Sequence, residues 1–337
     1  MPEDQTAVLS VLAPPSLLTV QDLGRSGHRA LGLPAGGAMD PWALRAANTL
    51  VGNAEGSAAL EWATGGGLLR LEGRSALIAL TGADAEATVD GAPLPLDRSI
   101  RVPAGARLRI QGLRRGQFLY LAVAGGVDVP VVLGGRGSYL PAGLGGVAGR
   151  SLRGGDLVPL GAEPANLPTT GVILPGDLRD PLPPPQGSVR VMAGPHGELL
   201  DTEGWERLLG TTFTVAVTAD RTGYRLSGPP VVTGRLASLP SEPTCPGALQ
   251  LPPGGQPIVL MADGPTVGGY PTPAVVCAAD LGRLAQCAPG TTVRFVLIDV
   301  PEAQRLYRRR RVAIDTLDRI IRGPTSPTYS SSAEQMR

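Results

Sequence analysis

Glycine and proline interrupt this sequence so often that few stretches of it can form a long regular element. There are 47 glycines and 34 prolines, 81 of 337 residues. Proline fixes φ and removes a backbone donor, and glycine weakens helix and strand interiors alike. What lies between these breaks in the first half is short and apolar: Ala7–Leu12, Leu17–Val20, Leu68–Leu71, Ala76–Leu80, Ile100–Val102, Leu108–Ile110 and Phe118–Val123. Closely spaced short strands bounded by turn residues predict barrels or sandwiches rather than a parallel βαβ sheet. The expected class is mainly β with a few short helices.

Local signals place those helices. Asp40 is positioned to N-cap a helix that starts with Pro41 and stops at Gly52, with Leu44, Ala47 and Val51 on one face. A shorter helix spans Thr202–Leu209, and Asp280 is placed to cap another that contains Leu281 and Leu284. Residues 301–323 read as a C-terminal helix with Arg308–Arg311 on its solvated side, followed by a disordered tail over 324–337. Prolines crowd residues 166–187, which behaves as a semi-rigid connector. Two β domains, 1–165 and 188–300, are expected around it. The second restarts with a strand at Ser188–Met192, and Val293, Phe295 and Leu297 alternate in its last one.

Composition excludes several chemistries. The chain contains no lysine, so all 30 basic residues are arginine. It cannot form a Schiff base, place a phosphate-loop lysine on a nucleotide or carry biotin. The net charge of +1 gives no electrostatic case for nucleic acid or an anionic membrane. No apolar run approaches the ~20 residues of a membrane helix. The polar start Met1-Pro2-Glu3-Asp4-Gln5 argues against a signal peptide, and the reading is cytoplasmic. Three cysteines form no CxxC pair, and with only His28 and His196 as imidazoles a zinc site is disfavoured.

Polar side chains concentrate in glycine-rich loops. Gly24-Arg25-Ser26-Gly27-His28-Arg29 and Asp220-Arg221-Thr222-Gly223-Tyr224-Arg225 share the order arginine, hydroxyl, glycine, ring, arginine, which points to an internal duplication. Arginine clamps carboxylates bidentately, so Arg25 and Arg221 are candidate catalytic clamps, and Arg221→Ala is expected to lose activity while keeping its fold. The carboxylates of Asp22, Asp40 and Glu242 are candidates for moving protons. Gly268 and Gly269, between Thr266 and Tyr270, offer backbone N–H groups to an oxyanion; the alternative is a plain β-turn. Asn48, Tyr224 and Gln250 complete the candidate substrate-binding set, with Asp22, Thr266, Gly268, Gly269 and Tyr270. His196 sits in a Gly-Pro-His-Gly loop that reads as a turn. Gly134-Gly135-Arg136-Gly137-Ser138-Tyr139 and Gly143–Gly146 form a long flexible region without the ending of a nucleotide loop.

Gln21-Asp22-Leu23-Gly24-Arg25, Gly37-Ala38-Met39-Asp40, Ala47–Asn53, Leu121–Gly126, Asp220–Leu226, Ser241-Glu242-Pro243 and Thr266–Pro271 occur in that order. Together they resemble the biotin-dependent carboxyltransferase family that includes the C subunit of 5-oxoprolinase, KipA and allophanate hydrolase subunit 2. The resemblance covers residues 8–300. It implies two tandem cyclophilin-like β-barrels and partner chains, the KipI-like B subunit and the A subunit of 5-oxoprolinase. With them the family opens 5-oxo-L-proline to L-glutamate using ATP, which no recognisable motif in this chain binds. It also implies two alternatives, carboxyl transfer from biotin on another chain to urea, and regulation through a KipI-like kinase inhibitor. Gly36 stands where the family often has serine.

Overall fold

The computed structural model describes residues 7–176, 186–231 and 239–322. The proline cluster from residue 177 to 185 and the expected tail lie outside them. Nine strands of the first half share one sheet: β1 (Val8–Ala13), β2 (Leu17–Gln21), β3 (Ala59–Ala63), β4 (Gly67–Glu72), β5 (Ala76–Val89), β6 (Ala92–Pro93), β7 (Ser99–Val102), β8 (Arg107–Val123) and β9 (Leu157–Pro159). The path runs β2-β3-β8-β4-β1-β9, with β5 joining β8 and carrying β6 and β7. Strands β5 and β8 are longer than the punctuation predicts, because their glycines bend them instead of ending them. Gly82 and Gly116 take φ of +101° and +90° inside the pair, and the register shifts between Gly82 and Asp84.

The second half contributes β10 (Gln186–Ala193), β11 (Phe213–Val215), β12 (Gly223–Ser227), β13 (Glu242–Pro243), β14 (Ala248–Gln250), β15 (Ile258–Leu260), β16 (Val267–Gly268), β17 (Ala274–Val276) and β18 (Thr292–Leu297). Seven of them close into a barrel, β10-β17-β14-β15-β12-β11-β18, sealed by the parallel pairing of β10 with β18. Strands β13 and β16 form a separate two-stranded ribbon. The fold is thus mainly β, a half-barrel followed by a closed barrel.

Four α-helices pack on this frame: α1 (Pro41–Leu50), α2 (Thr202–Gly210), α3 (Leu281–Ala285) and α4 (Val300–Arg322). Asp40 caps α1, its Oδ1 accepting from the N–H groups of Trp42 (3.2 Å) and Ala43 (3.1 Å). Asp280 does not cap α3. Arg190 takes its carboxylate through both the backbone N–H (2.9 Å) and Nε (2.8 Å), and charge-assisted bonds of this kind outcompete the N–H groups of a five-residue helix. Helix α4 does not extend freely into solvent. It lies along α1, with Tyr307 edge-on to Trp42 at 5.5 Å, Arg310 over the Trp42 ring, and Arg322 donating to the carbonyl of Asn53 (2.9 Å).

Strand alternation decides what faces what. In β8, Leu119, Leu121 and Val123 enter the core of the half-barrel, whereas Phe118, Tyr120 and Ala122 enter a second core shared with α1 and the closed barrel. In β3, Leu60 and Trp62 go with the first set, and Ala59 and Ala63 with the second. By the same period Glu61 points into the junction of the two halves.

Candidate functional site

The junction is built around one guanidinium. Arg221 precedes β12 and is 7% exposed. Its Nε donates to Asp263 Oδ2 (2.8 Å), its Nη1 to Glu61 Oε1 (2.5 Å), and its Nη2 to the Gly37 carbonyl (2.7 Å) and Asp263 Oδ1 (3.0 Å). A second-half arginine therefore ties the first-half strand β3 to the loop before α1. The other oxygen of Glu61 accepts from the N–H of Met39 (2.8 Å) and the hydroxyl of Tyr120 (2.7 Å), which itself accepts from the Asp40 N–H (2.7 Å). Asp40 Oδ2 receives Gln286 Nε2 (3.0 Å), from beyond α3. Burial pushes the Glu61 carboxyl up, opposed by Arg221 and by the N–H of Met39. Burial also works to lower the Arg221 pKa, but the carboxylates of Glu61 and Asp263 outweigh it and raise it. Burial raises the Tyr120 hydroxyl well above its ordinary range, as do the neighbouring carboxylates of Glu61 and Asp40.

Arg25 occupies the matching position in the first half and is 1% exposed. Its Nη2 donates to the Gly137 carbonyl (2.5 Å) and its Nε to that of Val132 (3.3 Å). The glycine-rich segment expected to be flexible is folded onto this side chain. Ser138 N–H bonds to the Val20 carbonyl (2.8 Å), and Asp22 Oδ2 accepts from the Arg136 N–H (2.5 Å).

A second place is open to solvent. A shallow cleft runs beside the β13–β16 ribbon, with His196, Glu242, Cys245, Gln250, Gly268 and Tyr270 among its lining. Its lining comes from the second half, and the first half touches it only from behind, where Arg29 Nη2 donates to the carbonyl of the lining residue Thr244 (2.6 Å). Two close approaches explain the glycine pair: a Cβ on Gly268 would lie 2.6 Å from Gln250 Nε2, and one on Gly269 would lie 2.9 Å from the Leu239 carbonyl. The Gly269 carbonyl in turn accepts from the Leu239 N–H (2.9 Å).

The candidate residues thus separate into two groups. Glu242, Gln250, Gly268 and Tyr270 meet at the cleft, and Gly269 and the buried Thr266 support it from the same loop. Arg25, Asp22, Asp40 and Arg221 are buried with protein partners. Tyr224 is a core strut, its hydroxyl donating to the Ala285 carbonyl (2.7 Å). Asn48 braces the loop after α1 through the Ser57 carbonyl (2.7 Å) and Asn53 Nδ2 (3.0 Å). Among the described residues, no cluster of three His, Cys, Asp or Glu side chains is arranged to hold a metal ion, and no helix is long and apolar enough to cross a membrane.

Residues 31–297, running from the loop before α1 to the end of β18, match the family described as carboxyltransferase domain, subdomain A and B. The chain belongs to the carboxyltransferase family. It is 34% identical over 314 residues to the 5-oxoprolinase C subunit of Haemophilus influenzae, covering 93% of this chain and 99% of the relative. It is 36% identical over 299 residues to the 5-oxoprolinase C subunit of Escherichia coli, covering 88% and 93%. The crystal structure of Kluyveromyces lactis urea carboxylase superposes with a TM-score of 0.87 at 30% identity, over 94% of this chain and 29% of that one. The chain therefore spans less than a third of the urea carboxylase. The resemblance carried by the ordered motifs is borne out.

Within this carboxyltransferase-family frame, the candidate set read from the sequence omits Glu61, Tyr120 and Gln286 at the junction, and His196, read as a turn residue, lies at the cleft. Glu61 had a readable signal, a lone carboxylate inside the apolar strand Ala59-Leu60-Glu61-Trp62-Ala63. A carboxylate in such a run is either misplaced or paired. Gln286 had none, since its role depends on where α3 docks.

Proposed function

We propose that this chain is the C subunit of an ATP-dependent 5-oxoprolinase, a cytoplasmic hydrolase that works with a KipI-like B subunit and an A subunit to open 5-oxo-L-proline to L-glutamate. The observation that carries this reading is the span of the match. The chain pairs with 99% and 93% of two proteins bearing that name, but with only 29% of the urea carboxylase. A five-membered lactam is a stable amide, and coupling to ATP hydrolysis supplies the activation its carbonyl needs. The residues present here do not fit a nucleotide: there is no lysine, and the Gly134–Gly146 segment turns the Gly137 carbonyl onto Arg25. ATP belongs to other members of the complex in this reading.

The cleft is where this chain meets the amide. Glu242 is its carboxylate for proton movement, and Gln250 with the Gly268–Tyr270 loop forms the binding surface. Asp40 and Arg221 hold the two halves in register behind it, and Arg25 holds the glycine-rich loop of the first half. The test is glutamate release from 5-oxoproline and ATP by the three subunits together, each omitted in turn. Turnover that requires all three is expected, and undiminished turnover without this chain would overturn the assignment.

The TM-score of 0.87 against urea carboxylase supports a second reading, carboxyl transfer to urea or a similar amide. With no lysine to be biotinylated, carboxybiotin would arrive on another chain. A copurifying biotin carrier together with carboxylation of urea would replace the first reading by this one.

A further inference from the structure

Gln250 ends β14 in the cleft wall at 5% exposure, and its Nε2 has no hydrogen-bond partner among the described residues. Buried polar groups are normally satisfied, so this nitrogen is set up for an acceptor from outside the chain. Gly268 packs directly against that nitrogen, and any larger residue there would press on it. Across the ribbon Gly268 is paired with Glu242, so an amide donor and a carboxylate flank the same residue. His196 aims that carboxylate. The Thr272 N–H donates to His196 Nδ1 (3.1 Å), which places the imidazole proton on Nε2, 3.4 Å from Glu242 Oε2. A carboxylate only accepts, and one such contact leaves Glu242 free to take an N–H from a ligand.

We propose that this cleft reads the cis-amide edge of a small ring: Gln250 Nε2 donates to the ring carbonyl, Glu242 accepts the adjacent ring N–H, and His196 is a positioning residue for Glu242. The inference rests on the reading of this chain as a subunit that handles an amide substrate. Geometry supplies the selectivity. In an open-chain secondary amide the N–H and C=O point to opposite sides, and the cis form costs about 2.5–4 kcal/mol. Lactams and cyclic ureas present both groups on one edge at no such cost. A lactam substrate and the ureido ring of biotin share this chemistry.

The full chain, without partner subunits or ATP, would be titrated with pyrrolidinone, N-methylpyrrolidinone and N-methylacetamide by ligand-observed NMR. Pyrrolidinone is expected to bind at least about tenfold more tightly than either of the others, as losing a hydrogen bond to a charged group implies. His196→Phe should weaken pyrrolidinone and leave N-methylpyrrolidinone unchanged, a split that a merely structural role would not produce. His196→Gln, which can pair with both neighbours, should restore part of the loss. Gln250→Leu should abolish binding of pyrrolidinone, with thermal melting to check its fold; the wild-type series stands if that variant is unstable. Equal binding of the methylated and unmethylated rings, or no binding of pyrrolidinone, overturns the proposal. Comparing 5-oxoproline with biotin in the same titration assigns the source of the ring. Ring selectivity that persists while the three-subunit assay shows no turnover sinks the oxoprolinase reading alone. Turnover without ring selectivity sinks this one alone.

Discussion

Arg221 shows how burial changes the meaning of a residue. As a letter in a glycine-rich loop it reads as a clamp for a substrate carboxylate, removable at no cost to the fold. In the structure all three of its nitrogens are engaged by Asp263, Glu61 and Gly37. Replacing it by alanine would leave two carboxylates enclosed without their cation, and breaking a buried pair in this way costs about 3–5 kcal/mol. Arg221→Ala is therefore expected to unfold at clearly lower urea than the wild type. A variant with an unchanged midpoint would show that the junction tolerates uncompensated charge, and the clamp reading would regain its ground. The shared spacing around Arg25 and Arg221 was legible, and both do lie buried in corresponding tight loops. Their partners were not, because Glu61 and Asp263 reach Arg221 only through the packing of one half on the other.

At the scale of elements, α4 is the clearest departure from what its own sequence says. Four consecutive arginines, Arg308–Arg311, look like a solvated face. Two of them instead meet α1 and the loop after it. Arg310 lies over Trp42, and Arg311 donates to both oxygens of Glu55 (2.9 and 2.6 Å), which Arg45 also contacts. Burial works to raise the Glu55 carboxyl, but the two arginines outweigh it and hold it below its ordinary range. A carboxylate depressed in the folded state stabilises above its unfolded pKa, ~4.3 for Glu, and that contribution disappears as pH falls through the folded value. Glu55→Gln should thus cost about 0.5–1 kcal/mol near neutral pH, scaled to a partly exposed pair. Denaturation curves of the variant and the wild type should converge in acid. A gap that stays constant down to pH 3 would mean that packing on Trp42, not charge, fixes α4. The helix itself was legible from its apolar spacing; its docking was not, since α1 lies some 250 residues earlier in the chain.

At the scale of the whole molecule, the glycine and proline punctuation made the β class readable, whereas the repeated arginine loops, read as a duplication, sit in a nine-stranded half-barrel and a seven-stranded closed barrel. What the sequence did not show is how much the halves share. One hydrophobic core contains Leu44, Phe118 and Tyr120 from the first half together with Phe213, Leu249 and Phe295 from the second. Polar ties cross the same boundary: Arg221 to Glu61, Gln286 to Asp40 and to the Phe118 carbonyl (2.9 Å), and Arg29 to Thr244. An inter-domain surface that is polar and small lets domains move and melt separately. This one is a continuous core sealed by buried charge, and removing either half would expose both. The chain is therefore expected to unfold in a single transition, with calorimetric and van't Hoff enthalpies equal, although its length is typical of two domains. Fluorescence should report the same midpoint whichever tryptophan is kept: Trp42 on α1, Trp62 in the half-barrel or Trp205 on α2. Two resolved transitions, or distinct midpoints for Trp62 and Trp205, would show that each half is stable on its own. The second half, which supplies the cleft lining, would then hold its shape alone, and the contact of Arg29 with Thr244 would carry no weight in it.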